Sequence, residues 1–417
     1  MERNRRVVVV GASVAGVAAA TGVRAAGFDG EIVLVGEEPH APYDRPPLSK
    51  QLLCGAADVA DIGLAAARAL PSASVDQRLG RRATALDVQR RVLELDGHEE
   101  LPYDGLVVAT GSAARDLPGL TSGGGVHVLR TLDDAVALRE DLGGAGHVVV
   151  VGAGFIGLEV ACSARSLGLT VTVVEGAPAP LARVLGADIG ARFTTLHRSH
   201  GVDVRCGVGV AGVRTEDGRV TAVELDDGTS VPADVVVVGV GAEPATAWLE
   251  TSGLELSDGL VCDELLRAGP GVYAAGDVAR WDNPLFGAIR VEHWMTATEH
   301  ARAAARNLLA ELDGEAGSAE PVSLVPYFWS DQYGIKVQMA GWAQGYDEVI
   351  DANLDGPSNG VLLGRGGRLV AALGWSAPAF VARQKRLIAE RTPLAEAVAS
   401  LRELAPRNPR IKEGTAS

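Results

Sequence analysis

Residues 148–175 read VVVVGAGFIGLEVACSARSLGLTVTVVE, which joins an apolar run, a glycine-rich turn, a helical pattern and a second apolar run. This order predicts a strand, a helix and a second parallel strand that ends at Glu175. Gly152 permits the tight turn, Gly154 lets the backbone approach a pyrophosphate, and Gly157 lets the helix pack closely on the strand. Unpaired amides at the helix start attract phosphate, and Glu175 is spaced to bind a ribose. We therefore predict a dinucleotide-binding unit.

A second copy of this pattern lies near the amino terminus. Residues 7–16 read VVVVGASVAG and match VVVVGAGFIG at 148–157, and we term them the first and second fingerprints. An internal duplication of this kind predicts two nucleotide ligands. In the first fingerprint Ser13 replaces the second glycine, and its hydroxyl can donate to a phosphate oxygen.

Composition restricts the class of protein. The chain has 417 residues, 47% of them hydrophobic, so we expect a globular protein of two or three domains. The net charge of −15 argues against nucleic acid as the main partner, because phosphate binding needs a basic field. No apolar run reaches the roughly 20 residues of a membrane span, and the run at 7–10 is too short for a signal peptide. These features predict a cytoplasmic protein.

The four cysteines are far apart in the chain. No CxxC pair occurs, so the sequence predicts neither a dithiol redox centre nor a metal site. Each thiol is expected to be a small buried residue or a bystander.

Residues 42–50, PYDRPPLSK, contain three prolines, too many for a regular element. A stiff loop of this kind can hold the cations Arg45 and Lys50 near phosphates or a flavin. It can equally be a solvated surface loop, and the spacing does not choose between the two.

Further glycine turns follow apolar strands. Residues 106–111 end in Ala-Thr-Gly, and we expect this strand end near the first nucleotide. Residues 234–244 repeat the arrangement in the second half and turn at Gly241. Residues 272–279, VYAAGDVA, place Asp277 where its carboxylate can accept a hydrogen bond from a ribityl hydroxyl.

The last quarter of the chain has a different character. A polar segment at 313–323 predicts a domain boundary. The stretch YFWSDQYG at 327–334 then clusters four aromatic residues in a chain that is only 4% aromatic. Strand-like runs and two helical patterns follow.

The order of these motifs resembles the FAD-dependent NADH:ferredoxin reductase family of cytochrome P450 and ring-hydroxylating dioxygenase systems, the putidaredoxin reductase-like proteins. YDRPPLSK and FWSDQYG are specific to this branch, whereas the two fingerprints and GDVA occur more widely in two-dinucleotide flavoproteins. The resemblance covers nearly the whole chain. It implies an α/β fold with two Rossmann-like dinucleotide-binding domains of the glutathione reductase type and a C-terminal α+β domain.

The resemblance also implies domain boundaries. The FAD-binding domain would be discontinuous, over 1–112 and 249–324, with the NAD-binding domain inserted at 113–248. Residues 325–417 would form the C-terminal domain, which covers the flavin.

Two sets of residues are implied to hold the cofactors, FAD and NADH, and no metal is implied. Those expected along FAD are Gly11, Ser13, Ala15, Gly16, Glu37, Arg45, Lys50, Ala83, Thr110, Gly111, Arg130, Asp277, Trp294 and Trp329. Those expected at the nicotinamide nucleotide are Gly152, Gly154, Phe155, Ile156, Gly157, Glu159, Glu175, Gly241 and Glu292.

The implied activity passes electrons from NADH through FAD, one at a time, to a [2Fe–2S] ferredoxin that supplies a cytochrome P450 or dioxygenase. Lys50, Glu159 and Trp329 are the expected catalytic residues. Lys50, paired with Glu159, would stabilise negative charge on the reduced flavin. Trp329 is either a packing lid or an electron route.

Glu175 favours NADH over NADPH, because a carboxylate suits a free ribose 2′-hydroxyl and repels a 2′-phosphate. The next residues, 176–178, offer no arginine for that phosphate, and Arg183 is eight residues away.

Other functions remain open. A flavoprotein of this type can also be an NADH-dependent rubredoxin reductase or an NADH oxidase. A flavin-bearing signalling protein of the apoptosis-inducing-factor type is less favoured, because those proteins tend to carry long extra segments. The ferredoxin is expected to bind transiently, and the protein is expected to be a monomer or weak dimer.

Overall fold

The computed structural model describes residues 5–120, 123–354 and 359–401. The chain divides into two compact units, Met1–Leu324 and Val325–Ser417. Among the helices of the described ranges, none combines the length and the apolar character that crossing a membrane requires.

The first unit alternates strands and helices. Its strands are β1 (Arg6–Val10), β2 (Glu31–Gly36), β3 (Val75–Leu79), β4 (Ala83–Asp87), β5 (Val92–Leu95), β6 (Glu99–Pro102), β7 (Gly105–Val108), β8 (Ser112–Ala114), β9 (Val126–His127), β10 (His147–Val151), β11 (Thr170–Glu175), β12 (Asp203–Cys206), β13 (Val210–Glu216), β14 (Arg219–Leu225), β15 (Ser230–Pro232), β16 (Val235–Val238), β17 (Ala242–Pro244), β18 (Leu260–Cys262), β19 (Arg267–Gly269), β20 (Val272–Ala274), β21 (Ala279–Asn283) and β22 (Gly287–Arg290). Its helices are α1 (Val14–Ala25), α2 (Leu132–Leu142), α3 (Phe155–Ser166), α4 (Ala182–Leu185), α5 (Ala187–Ser199) and α6 (Trp294–Leu312).

The second unit is mainly strands. They are β23 (Tyr327–Gln332), β24 (Ile335–Gly341), β25 (Glu348–Asn353), β26 (Asn359–Arg365) and β27 (Arg368–Trp375). Two helices follow, α7 (Pro378–Ala389) and α8 (Leu394–Leu401).

The first fingerprint lies in a sheet with the strand order β19-β20-β7-β1-β2-β3. β1 pairs in parallel with β2 and β7, and residues 7–10 are at most 3% exposed. Such continuous burial is typical of a parallel strand with both faces covered. Gly11 follows β1 at a φ of 114°, and a Cβ there would lie 2.1 Å from the carbonyl oxygen of Ala109. Glycine is therefore required where the ends of β1 and β7 converge.

The second fingerprint lies in a parallel sheet with the order β12-β11-β10-β16-β9. The two halves share one register, with Val10 opposite Val35 in one and Val151 opposite Val174 in the other. A Cβ on Gly152 would lie 2.3 Å from the carbonyl oxygen of Gly239, which repeats the close approach made by Gly11. The duplication read from the sequence is present in the fold.

Two short strands join the halves where the chain crosses between them. β8 and β17 pair antiparallel, with Ser112 opposite Pro244. The two chain segments that cross between the halves therefore lie side by side, at the ends of the two parallel sheets. The boundaries between the FAD-binding and NAD-binding domains, at 112/113 and 248/249, remain predictions.

The second unit is a five-stranded antiparallel sheet with the order β23-β24-β27-β26-β25. α7 packs on β24 and β27. Glycines make room for it, because a Cβ on Gly360 would lie 2.6 Å from the Phe380 ring and one on Gly374 would lie 2.7 Å from Val381. The predicted fold class, two Rossmann-like domains with a C-terminal α+β domain, is confirmed.

Replacing Gly157 by alanine should destabilise the first unit. The new Cβ would lie 2.2 Å from the carbonyl oxygen of Gly152, and backbone atoms in a packed turn cannot move aside cheaply. We expect the free energy of unfolding in denaturant to fall by about 1–3 kcal/mol or more. Gly154→Ala is the matched control, since its nearest neighbour would be 4.0 Å away. Equal stability of the two variants would contradict the packing role of Gly157.

Candidate functional site

The site is built around residues 42–50, which we term the connector loop. Two prolines open a short 3₁₀ turn at Pro46–Ser49, where the fixed φ of proline suits a helical start. Tyr43 is 7% exposed and Leu48 is 3% exposed. The loop is therefore packed into the first unit, and a solvated surface loop is excluded.

Arg45 of the connector loop reaches the start of α1. Its guanidinium donates to the hydroxyl of Ser13, the residue before α1, and pairs with Glu38 at 2.6 Å. Since the Ser13 oxygen accepts this bond, its own proton remains available for a phosphate oxygen. Ser13 and Arg45, both predicted along FAD, are thus brought together at a helix N-terminus.

Tyr43 ties the connector loop to the start of α2. Its hydroxyl donates to Glu38 Oε2 at 2.5 Å and accepts from the backbone N–H of Leu132 at 2.9 Å. Arg45 adds a bond to the carbonyl oxygen of Arg130 at 3.2 Å. Burial raises the pKa of Tyr43, so the hydroxyl stays a donor at neutral pH. Two loop side chains therefore fix the entry to α2.

Arg130 and Asp277 meet in the same region. Arg130 Nε donates to the carbonyl oxygen of Ser112 at 2.6 Å, and its Nη2 lies 3.4 Å from Asp277 Oδ2. The Ser112 hydroxyl also donates to Asp277 Oδ2, at 3.0 Å. Burial lowers the pKa of the Arg130 guanidinium, and the Asp277 carboxylate opposes that shift.

The start of α6 is also attached to the connector loop. Trp294, the first residue of α6, donates its indole N–H to Asp44 Oδ1 at 2.9 Å. Glu292, expected at the nicotinamide nucleotide, pairs instead with Arg290 at 2.7 Å. Arg290 in turn donates to the carbonyl oxygen of Asp277 at 3.1 Å. Glu292 is thus linked to Asp277 through Arg290.

The carboxyl end of the connector loop reaches the second fingerprint. Lys50 Nζ lies 2.6 Å from Glu159 Oε2, and both side chains are largely buried. Glu159 lies in the second turn of α3, two residues after Gly157. The two predicted catalytic residues of this unit therefore form a buried ion pair, although 109 positions separate them in the chain.

Other residues predicted along FAD occupy turns around the first fingerprint. A Cβ on Gly16 would lie 1.6 Å from the carbonyl oxygen of Gly11, and Ala15 is 6% exposed. Thr110 donates to the carbonyl oxygen of Ala245 at 2.8 Å, and Gly111 has a φ of 71°. Thr110 and Gly111 thus lie where the chain crosses from the first half to the second.

Glu37 and Ala83 lie apart from the connector-loop hydrogen bonds. Glu37 is exposed and pairs with Arg82 at 3.5 Å. Ala83 lies on β4, opposite Leu95 in a small antiparallel sheet. The neighbouring Glu38 instead accepts from Tyr43 and pairs with Arg45. Nothing in the local sequence pattern distinguishes these two adjacent glutamates.

A cavity of about 370 Å³ adjoins the second fingerprint and is lined by Gly152, Glu175 and Arg183, among others. Glu175 is 9% exposed, and its carboxylate is fixed by two backbone N–H groups, Ala153 at 2.7 Å and Ala177 at 2.8 Å. The cavity therefore presents a carboxylate held in one orientation. Its size and lining suit a nucleoside.

Arg183 lines this cavity although it follows Glu175 by eight residues in the sequence. The chain turns back at Leu181, which has a φ of 57° and donates its N–H to the carbonyl oxygen of Ala153 at 3.1 Å. α4 then begins at Ala182 and carries Arg183 to the cavity. A left-handed leucine has no recognisable sequence signal, which is why this fold-back was missed.

The remaining fingerprint residues have distinct surroundings. The Phe155 ring packs edge-on against Phe193, with centroids 6.3 Å apart. Ile156 is 48% exposed at the start of α3, and the space around Gly154 is open to 4.0 Å. Gly241 has a φ of 117°, with open space at its Cβ position.

Trp329, the third predicted catalytic residue, belongs to the second unit. It lies on β23 opposite Gln338, and Lys336 Nζ is 5.9 Å from its ring centroid. The choice between a packing lid and an electron route stays a prediction.

Tyr43→Phe should weaken the first unit. The substitution removes one donor from Glu38 and one acceptor from the Leu132 N–H, so we expect about 1–3 kcal/mol less free energy of unfolding in denaturant. Tyr103→Phe is the control, because the buried Tyr103 hydroxyl has no partner among the described residues. That variant should match or exceed the parent protein. A Tyr43→Phe protein as stable as the parent would contradict the anchoring role.

Two family models match the chain. Residues 5–304 match pyridine nucleotide-disulphide oxidoreductase, and residues 327–405 match the reductase C-terminal family. No disulfide joins any of the four cysteines, and the sequence has no CxxC pair, so the chain lacks the dithiol motif that the first family name suggests.

Individual relatives cover almost the whole chain. Rhodocoxin reductase of Rhodococcus erythropolis is 36% identical, over 93% of this chain and 90% of its own length. Putidaredoxin reductase CamA of Pseudomonas putida is 36% identical, over 94% of both. A crystal structure of putidaredoxin reductase in covalent complex with putidaredoxin matches with a TM-score of 0.89 and 34% identity, over 96% of this chain and all of that one. The predicted resemblance is confirmed, and the chain belongs to the pyridine nucleotide-disulphide oxidoreductase family.

Proposed function

We propose that this chain is an FAD-dependent NADH:ferredoxin oxidoreductase, which passes electrons singly to a [2Fe–2S] ferredoxin of a cytochrome P450 or dioxygenase system. Relatives named as reductases of such systems support the assignment. Its family binds FAD and uses NAD(P)H. Bound FAD supplies the redox chemistry, because it accepts two electrons together and releases them one at a time. The observation that carries the proposal is the buried Lys50–Glu159 pair between the two fingerprints.

The residues around the first fingerprint fit FAD. The start of α1 offers backbone N–H groups and the positive end of a helix dipole to a pyrophosphate. Ser13 and Arg45 add a hydroxyl proton and a cation at the same place. Asp277, held by Ser112 and Arg130, can accept from a ribityl hydroxyl.

The residues around the second fingerprint fit NADH. Gly154 leaves open space at the start of α3, where a pyrophosphate would approach the backbone. Glu175 points a fixed carboxylate into the adjoining cavity, where ribose hydroxyls can donate to it. Ile156 offers an exposed apolar side chain beside this helix start.

Lys50 and Glu159 would couple the two cofactors. A buried ammonium group stabilises negative charge strongly, since the surrounding dielectric is low. Glu159 holds that ammonium at the junction of the connector loop and α3. Lys50 would thus favour the reduced state of the flavin, and Glu159 would orient Lys50.

Two further expectations stay predictions. The electron exit near Trp329 depends on a ferredoxin that binds only transiently. We also propose that the protein is cytoplasmic and that it is a monomer or a weak dimer. The relatives that are named as ferredoxin reductases favour a ferredoxin over rubredoxin or oxygen as the acceptor.

An anaerobic stopped-flow experiment tests the proposed function. NADH should bleach the flavin band of the purified yellow protein within seconds, and added [2Fe–2S] ferredoxin should then be reduced with recovery of the band. Steady-state turnover without ferredoxin should be slow. A colourless protein, or a reduced flavin that does not transfer electrons to any [2Fe–2S] ferredoxin tried, would contradict the proposal.

Glu175→Gln should shift the preference from NADH towards NADPH. The variant removes a negative charge from a cavity that already contains Arg183, so a 2′-phosphate is no longer repelled. We expect the ratio of kcat/KM for NADH to that for NADPH to fall at least about tenfold, which corresponds to about 1.4 kcal/mol.

Two controls make this prediction specific. Glu216→Gln removes an exposed carboxylate from β13 and should leave the ratio unchanged. Adding Arg183→Ala to Glu175→Gln should cancel the gain for NADPH. A ratio unaffected by Glu175→Gln would show that the carboxylate does not select the nucleotide.

A further inference from the structure

One carboxylate oxygen in the site accepts from two adjacent residues of the connector loop. Ser49 Oγ lies 2.5 Å from Glu159 Oε2, and Lys50 Nζ lies 2.6 Å from the same atom. The hydroxyl and the ammonium therefore share the lone pairs of one oxygen.

Ser49 is also held in place from its other side. Its carbonyl oxygen accepts from the Ser163 hydroxyl at 2.7 Å. Ser163 follows Glu159 by one turn of α3, so the two side chains share a helix face. Ser49 is thus attached to α3 at two points, through its carbonyl oxygen and through its hydroxyl.

Burial gives the second donor its importance. Ser49, Glu159 and Ser163 are each at most 6% exposed. A buried carboxylate that loses its cation is strongly destabilised unless other donors remain. Lys50 has a flexible four-carbon stem and a second acceptor, the carbonyl oxygen of Pro46 at 3.0 Å. Pro46 lies on the same loop as Lys50, so this second bond can persist if the ammonium turns away from the carboxylate, and Ser49 would then reduce the cost to Glu159.

We propose that Ser49 is a positioning residue that shares Glu159 with Lys50, so that the ammonium can turn from the carboxylate towards the reduced flavin. This inference rests on the proposed function, and it assigns the second hydrogen bond to Glu159 Oε2 to the hydroxyl of Ser49. Without that hydroxyl, Glu159 Oε2 would hold Lys50 more tightly. The ammonium would then be less available to stabilise negative charge on the flavin.

The first test measures the midpoint potential of bound FAD by spectroelectrochemical titration of the holoprotein, without NADH. Ser49→Ala should shift the potential to a more negative value, and Ser49→Thr, which keeps the hydroxyl, should restore it. Ser72→Ala is the control, because it removes an exposed hydroxyl that bonds only locally to Ala69. In stopped flow, Ser49→Ala should slow the limiting rate of flavin reduction several-fold, with the half-saturating NADH concentration unchanged.

A double-mutant cycle with Lys50→Met separates positioning from a merely structural role. Because Ser49 acts on the potential through Lys50, Ser49→Ala should cause no further shift in the Lys50→Met background. In thermal unfolding, by contrast, Ser49→Ala should have a larger effect in the Lys50→Met background than in the parent protein. The double variant removes both of these donors from Glu159 Oε2, so its melting temperature should fall by more than the sum of the single changes.

Three outcomes would overturn the inference. They are a parental potential in Ser49→Ala, an equal shift with and without Lys50, and additive melting temperatures. If Ser49→Ala fails to fold, Ser49→Cys replaces it, because a thiol keeps the volume but donates weakly. A parent protein that NADH does not reduce would contradict the proposed function instead, while the titration with dithionite would still test Ser49.

Discussion

The buried bond between Lys50 and Glu159 is the constraint on which the rest of the first unit depends. It attaches the connector loop to α3, and the same loop touches the starts of three other helices through Arg45, Tyr43 and Asp44. Helix starts carry the unpaired N–H groups and positive dipole ends that bind phosphates. One short loop thus fixes the relative positions of both predicted nucleotide sites.

The duplicated halves share a backbone register but place their acidic residues differently. Val35 and Val174 have equivalent registers, so Gly36 is the counterpart of Glu175. A Cβ on Gly36 would lie 2.6 Å from the Ala12 side chain, which leaves no room for a glutamate. The acid of the first half is therefore displaced to position 37, where it is exposed. Only the second half keeps a carboxylate fixed by its own turn.

Sequence reasoning succeeded where the signal was local. The fingerprints, the strand ends and the C-terminal unit were predicted because periodicity and glycine spacing act over a few residues. The family resemblance added the pairing of Lys50 with Glu159. It did not add Glu38, Ser49 or Arg183, because their roles depend on contacts between distant segments or on a left-handed turn. Tertiary hydrogen bonds of this kind leave no periodic trace in a single chain.

A repeat built by duplication usually suggests two exchangeable modules. Here the connector loop, which follows the first repeat, supplies hydrogen bonds to a helix of the second. A chimera that exchanged one βαβ unit for that of a relative would therefore have to bring the matching loop as well. Recombination between such genes would preserve the assembly only when it transferred the loop and α3 together. The two repeats, although copies of one pattern, therefore depend on each other through the connector loop.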